Sequence, residues 1–286
     1  MIHRESTLRT HDGAKIYYQC WQPESGLRGV IVLVHGAAEH GGRYERFAAH
    51  VAQRGYAVAA LDLPGHGRSE GTPGYIERFS DYTEAVDVFR ETIAREMSSV
   101  PQILLGHSMG GLVSTTYLLD HPHSFVGCVL SGPAIKTDIE PPMLQMLMIR
   151  TMSFLSPKTG VLQLDAEGVS RDPQEVKRYV EDPLNYIGKL SARWVAELFK
   201  AMKRVQDEAP KITVPLLILH GGDDSMASPA GSRFLAEEAG SVDKTLEIYP
   251  GLYHEIFNEP EREQVFADVL RFCDRVLEEA AGLPSG

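Results

Sequence analysis

The chain has 286 residues, 43% of them hydrophobic, and a formal net charge of −11. That is enough for one large domain or two small ones around a sizeable core. The acidic balance argues against nucleic acid as a partner, because phosphate binding needs a basic face.

In chain order, the polar N-terminus M-I-H-R-E-S-T-L-R-T has no apolar stretch of the signal-peptide kind. Ala14–Trp21 alternates apolar and polar residues and predicts an edge-type strand. Gly29–His35, G-V-I-V-L-V-H, is continuous and β-branched, as expected of a strand buried on both faces. Arg43–Arg54 has helical spacing, and Tyr56–Asp62 predicts a second buried strand. Phe79–Met97 reads as a long amphipathic helix, Gln102–Gly106 as a third buried strand, Ser108–Leu119 as a helix and Phe125–Leu130 as a fourth. Val214–His220 and Thr245–Tyr249 predict two more strands, and Glu261–Glu279 the last helix. The tail A-A-G-L-P-S-G is expected to fray. No apolar run approaches the roughly 20 residues that a bilayer span needs. Strands alternating with helices predict an α/β chain, a doubly wound, mostly parallel sheet with helices on both faces.

One block breaks the rhythm. From Lys136 to Asp207 no buried strand is expected, and M-L-Q-M-L-M-I-R-T-M-S-F-L (Met143–Leu155) is helical and rich in methionine. Two readings are open: extra helices in the core, or a cap over one end of the sheet. The cap is favoured because ligands of such sheets bind outside the carboxyl ends of the strands, where the insertion emerges. The expected organisation is therefore a core of residues 1–135 and 208–286 with a cap of residues 136–207. Cys20, Cys128 and Cys273 are widely spaced, with no C-x-x-C. That argues against a disulfide framework or thiolate zinc site, and for a reducing cytoplasm. No metal-ligand or dinucleotide pattern is seen, and no cofactor is expected; His35 and His40, five apart in a loop, are a weak pairing.

The chemistry centres on G-H-S-M-G-G, Gly106–Gly111. Ser108 follows a strand and opens a helix, so a sharp turn would lift its side chain out of the sheet. Side chains at Gly106 and Gly110 would crowd the neighbouring strand and helix. A structural glycine-rich turn is the alternative on this evidence alone. A serine hydroxyl needs a base. His35, His66, His107 and His220 end strands or lie in tight turns and read as structural. His254 lies in Y-P-G-L-Y-H-E, after the last strand and before the last helix, where the order Ser…Asp…His places a base. The acid would follow V-P-L-L-I-L-H, in H-G-G-D-D-S-M. Its role would be to hold the imidazole tautomer. Asp223 and Asp224 are adjacent, point apart, and are not separated by chemistry alone. The oxyanion needs two preorganised N–H donors; Met109, after the nucleophile, and Ala37, after L-V-H-G, are the candidates. D-L-P-G-H-G-R-S (Asp62–Ser69) reads as a structural turn shaping the site wall.

With L-V-H-G, D-L-P-G-H-G-R-S, G-H-S-M-G-G, a late Asp and a late His in this order, the chain resembles the α/β-hydrolase superfamily along nearly all of Ala14–Glu279. More closely it resembles monoacylglycerol lipases and their lysophospholipase-like relatives. H-G-A-A-E-H-G-G-R-Y, S-R-D-P, D-P-L and K-T-L-E-I-Y-P-G-L-Y-H-E carry that resemblance. It implies Asp224 as the acid, a polar pocket for the glycerol head at Glu39 and Arg43, and hydrolysis of a monoacylglycerol to a fatty acid and glycerol. An internal salt bridge is the other reading of Glu39 and Arg43. H-G-G-D-D-S-M-A-S lacks the family's usual Val or Cys after the acid, and the cap matches only locally, so chain-length preference is not implied.

Met143, Leu144, Met146, Leu147, Met148, Met152 and Leu155 are candidates for an acyl tunnel, since thioethers adapt to flexible chains; packing on the body is the alternative for about half of them. A lysophospholipase or general carboxylesterase would use the same triad, and a non-catalytic binding protein would be expected to lack a member of it. Lys136–Arg204 holds eleven Lys/Arg against nine Asp/Glu, a net of +2 on a body of −13. A mildly basic, apolar cap suits transient contact with an anionic membrane surface; a plain solvated surface is the alternative.

Overall fold

The computed structural model describes residues 1–98, 100–137 and 143–282. The strands are β1 (Ile2–Arg9), β2 (Lys15–Gln22), β3 (Gly29–Val34), β4 (Tyr56–Leu61), β5 (Gln102–His107) and β6 (Gly127–Ser131), then β7 (Gly160–Leu162) and β8 (Leu190–Ser191), and finally β9 (Leu216–Gly221) and β10 (Lys244–Tyr249). Eight of them form one sheet in the order β1-β2-β4-β3-β5-β6-β9-β10, while β7 and β8 pair separately. From β4 through β10 the neighbours are parallel; β2 runs antiparallel to β4, and β1 to β2.

The helices are α1 (Glu45–Ala52), α2 (Ser80–Glu96), α3 (Met109–Asp120), α4 (Met143–Leu155), α5 (Pro173–Glu181), α6 (Ala192–Glu208), α7 (Pro229–Glu238) and α8 (Arg262–Ala280). A strand covered on both faces must be apolar at every position, and β3 shows why. Val30, Val32 and Val34 enter the core cluster that includes residues of α2, α3 and α6. Ile31 and Leu33 face the opposite cluster, with Phe47 and Val51 of α1 and Phe266 and Val269 of α8. Cys20, Cys128 and Cys273 are buried and unpaired.

Two features depart from the sequence reading. β1 was not expected, because its polar sequence has no alternation. It is an edge strand, almost wholly exposed, and pairs with β2 from Ile2↔Gln22 to Arg9↔Lys15. The backbone ladder holds it, together with a few scattered side-chain contacts, such as His3 stacked on Trp21 and Glu5 paired with Arg68, and none of these imposes an apolar–polar alternation. The second is the insertion between β6 and β9. Trp194, Val195, Leu198, Ala201, Met202 and Val205 of α6 belong to the same apolar cluster as the sheet. The last helix of that segment is thus built into the body, with α4 stacked on its outer side. Residues 138–142 of the insertion and 283–286 of the tail lie outside the described residues. Among the described residues no helix is long and apolar enough to cross a membrane.

Candidate active site

Ser108 sits between β5 and α3 at φ 54° and ψ −119°, a conformation that L-residues rarely adopt and that costs on the order of 1–3 kcal/mol. The turn is over-determined by close packing. A Cβ on Gly106 would lie 2.4 Å from Ser114 Oγ and 2.5 Å from the Gly110 carbonyl oxygen; one on Gly110 would lie 2.1 Å from the Val34 carbonyl oxygen. Only glycine lets α3 start this close to β3. The Ser108 N–H donates to the Ser131 carbonyl at 2.9 Å, and the Ser108 carbonyl accepts from Ala134 N at 3.1 Å, so the loop after β6 clamps the turn.

Asp224 and His254, thirty residues apart on the loops after β9 and β10, are joined by a 2.7 Å hydrogen bond from Nδ1 to Oδ2. Asp224 Oδ1 accepts from the backbone N–H of Met226 at 2.8 Å and of Ala227 at 2.9 Å, which fixes the carboxylate plane. Asp223, undecided from chemistry alone, is exposed. Burial pushes the Asp224 carboxyl up, but the His254 charge and hydrogen bonds from His220, His254 and Ala227 outweigh it and hold the group well below the usual carboxylate range. Burial lowers the basicity of His254, and the facing Asp224, with Glu255 and Glu39 behind it, more than restores it, so His254 ends above an ordinary histidine. His220, read as structural, is a neighbour of Asp224: its Nε2 lies 3.1 Å from Asp224 Oδ2. His107 packs its ring 4.7 Å from that of His254 and anchors Nδ1 on the Ser131 carbonyl at 3.0 Å; burial and the nearby His254 push it down to about 3, so it stays neutral. Among the described residues Ser108 Oγ and His254 Nε2 make no hydrogen bond. Catalytic pairs often tighten only when substrate is bound.

The loop after β3 carries Ala37. His35 Nδ1 lies 2.7 Å from the Gly36 carbonyl oxygen, while His35 Nε2 accepts from Leu63 N at 2.9 Å. These partners select the Nδ1–H tautomer and pin the Gly36–Ala37 peptide plane, and with it the direction of the Ala37 N–H. Among the described residues neither the Ala37 nor the Met109 N–H has a hydrogen-bond acceptor. Ala38, which the sequence reading passed over, has φ 62°, and its carbonyl accepts from Tyr186 N at 2.9 Å. Asp62 of the D-L-P-G-H-G-R-S turn accepts from Gly41 N and Arg68 N, both at 2.9 Å, tying down the far end of the same loop.

Glu39 is buried, and Arg43 borders a surface cleft of about 810 Å³ with Gly42, Arg46 and Glu175. The two pair at 2.7 Å, the internal-salt-bridge alternative, with the Arg43 side chain only 9% exposed. Arg43 also forks onto Glu255 at 2.5 and 2.7 Å. Glu255 closes the K-T-L-E-I-Y-P-G-L-Y-H-E motif, but no role of its own was legible for it in the sequence. The acyl-tunnel expectation is corrected for four residues: Leu144, Leu147, Met148 and Leu155 are exposed, by 57–73%, and form an outward stripe that continues to Phe154. Met146 and Met152 are half-buried, and the side chain of Met143 lies outside the described residues. The reason is periodicity. A helix apolar on all sides still offers one face to its partner, and here that face carries Ile149 and the buried Ser153. Met146 instead borders a groove of about 440 Å³ with Phe199 and Met202 of α6 and a basic rim that includes Lys136, Arg150 and Lys203.

Residues 25–261 match the family described as serine aminopeptidase, S33. A monoacylglycerol lipase of Mycolicibacterium smegmatis is 39% identical over 257 residues, covering 90% of this chain and 92% of that protein. A phospholipase of Bacillus subtilis, YtpA, is 34% identical, covering 87% and 96%. The crystal structure of Paleococcus ferrophilus monoacylglycerol lipase superimposes with a TM-score of 0.79 at 31% identity, over 97% of this chain and 99% of that one.

Proposed function

The chain belongs to the serine aminopeptidase S33 family of α/β-hydrolases, and on that footing we propose that it is a serine esterase that hydrolyses monoacylglycerols to fatty acid and glycerol, using Ser108, His254 and Asp224. The observation that carries this reading is the Asp224–His254 hydrogen bond on the two late loops, beside a serine held in a strained turn at a helix N-terminus. Ser108 Oγ attacks the ester carbonyl as His254 Nε2 takes its proton. The Ala37 and Met109 N–H groups hold the oxyanion; each such donor is worth roughly 2.7–4 kcal/mol. His254 then protonates the departing glycerol oxygen, leaving an acyl-serine. Water attacks the acyl-serine, gives its proton to His254, and Ser108 is released with that proton.

We read residues 136–207 as the cap insertion, whose last helix, α6, roots it in the body. Its groove between α4 and α6, apolar at Met146, Phe199 and Met202, is the proposed bed for the acyl chain. The outward stripe Leu144, Leu147, Met148, Phe154 and Leu155 is the proposed site of peripheral contact with an anionic membrane, where substrate resides. The three unpaired cysteines suit a reducing cytoplasm. A lysophospholipase is the second reading, favoured by the phospholipase relative and the basic rim of the groove. The test is fatty-acid release across a panel of monoacylglycerols and lysophospholipids, with Ser108→Ala as the blank. Full activity in that variant ends the assignment of Ser108, and a preference for lysophospholipids replaces the first reading with the second.

A further inference from the structure

Behind the oxyanion loop lies a buried charge cluster that the hydrolytic steps do not use. Arg43 donates to Glu39 Oε2 at 2.7 Å and, through both terminal nitrogens, to Glu255 at 2.5 and 2.7 Å. Glu39 Oε1 accepts from the Gly36 backbone N–H at 2.6 Å, one residue before the Ala37 donor. Glu255 directly follows His254. The guanidinium also lies 4.8 Å from the Tyr179 ring centroid of α5. One planar fork thus spans two loops 212 residues apart in sequence, a geometry that lysine cannot reproduce. Nucleophile, oxyanion donors and base must hold their mutual positions to within about 0.5 Å for full rate.

We propose that Arg43 is a positioning residue of this hydrolase: through Glu39 and Glu255 it locks the loop bearing the oxyanion donor to the loop bearing the base. The assignment rests on Ser108 and His254 acting as nucleophile and base. It differs from a contact with the glycerol head, which would act on substrate binding alone.

Two esters separate these roles: a monoacylglycerol, and p-nitrophenyl butyrate, which has no glycerol. Arg43→Lys is expected to lower kcat by about tenfold or more on both, with KM changed less than about twofold, as for a misplaced reacting group. The pH profile supplies a second readout. The cluster holds two carboxylates and one guanidinium. Isosteric Glu255→Gln removes negative charge beside His254 and is expected to move the acid limb of kcat/KM to lower pH; Arg43→Met removes positive charge and is expected to move it higher. A general loss of packing predicts no such opposed pair. The proposal is overturned if Arg43→Lys loses only KM, or loses activity on the monoacylglycerol alone, or if the two limbs move the same way. If Arg43→Met does not fold, as judged by thermal melting, Arg43→Lys and Glu255→Gln decide: an unmoved limb in Glu255→Gln overturns it. Failure of the underlying reading shows separately, as a wild-type protein inactive on both esters and unlabelled at Ser108 by a fluorophosphonate.

Discussion

Asp224→Asn separates the two adjacent acids and tests the triad. In the wild type, Oδ1 accepts from Met226 N and Ala227 N, while Oδ2 accepts from His254 Nδ1. An asparagine here cannot choose its orientation freely. Two backbone N–H groups demand its oxygen on the Oδ1 side, so its NH2 must face His254 Nδ1. The imidazole then shifts its proton to Nε2, where it no longer accepts from Ser108. The imidazolium formed during attack also loses its counter-charge. An analogous tautomer trap in a serine protease costs about 10⁴-fold in kcat, which corresponds to roughly 5.5 kcal/mol of barrier. The same loss is expected here near neutral pH. Because the Asp224 charge is what raises His254 above an ordinary histidine, any residual activity should have its acid limb displaced to lower pH. Asp223→Asn is the control: Asp223 is exposed, so it should stay within about twofold, as a surface substitution does. The assay is kcat/KM on p-nitrophenyl butyrate from pH 5 to 9, on the order of two units either side of neutral, beside the melting temperature of each variant. A loss below about tenfold in Asp224→Asn, or an equal loss in Asp223→Asn, would refute the assignment.

Further outcomes follow from the same geometry. Ser108→Ala and Ser108→Gly should both abolish turnover, but the glycine variant should be more stable by about 1 kcal/mol, because only glycine accepts φ 54°, ψ −119° without strain; equal melting temperatures would argue against a strained turn. Gly110→Ala should cost at least about 3 kcal/mol, since its methyl would meet the Val34 and His35 carbonyl oxygens at 2.1 and 2.4 Å; a melting temperature lowered by only a degree or two would contradict that packing. Leu147→Glu with Phe154→Glu, both on the exposed stripe, should abolish cosedimentation with anionic vesicles while cleavage of p-nitrophenyl butyrate stays within about twofold; unchanged cosedimentation would remove the stripe from any membrane role.

The fold class was legible because its signals are local. Continuous β-branched runs such as Gly29–His35 require burial on both faces, and the turn residues between them set the alternation of strand and helix. The clearance at Gly106 and Gly110 was legible for the same reason, since it follows from one tight turn. β1 escaped because an exposed edge strand, held by its backbone ladder and a few scattered side-chain contacts, needs no alternation of polarity.

Chain order and residue type by themselves nominated Ser108, His254 and the Asp223–Asp224 pair, and resemblance favoured the second aspartate. Only the tertiary structure brought the Asp224 carboxylate to His254 Nδ1. Three more decisions belonged to it. It turned Arg43 inward onto both Glu39 and Glu255, a pairing no local pattern announces. It set His220 beside Asp224. It divided the methionine-rich helix into a packed face and an exposed stripe. The physical reason is common to all three. Sequence periodicity says that a helix or loop has apolar and charged residues, but which of them meet is fixed by how distant segments pack.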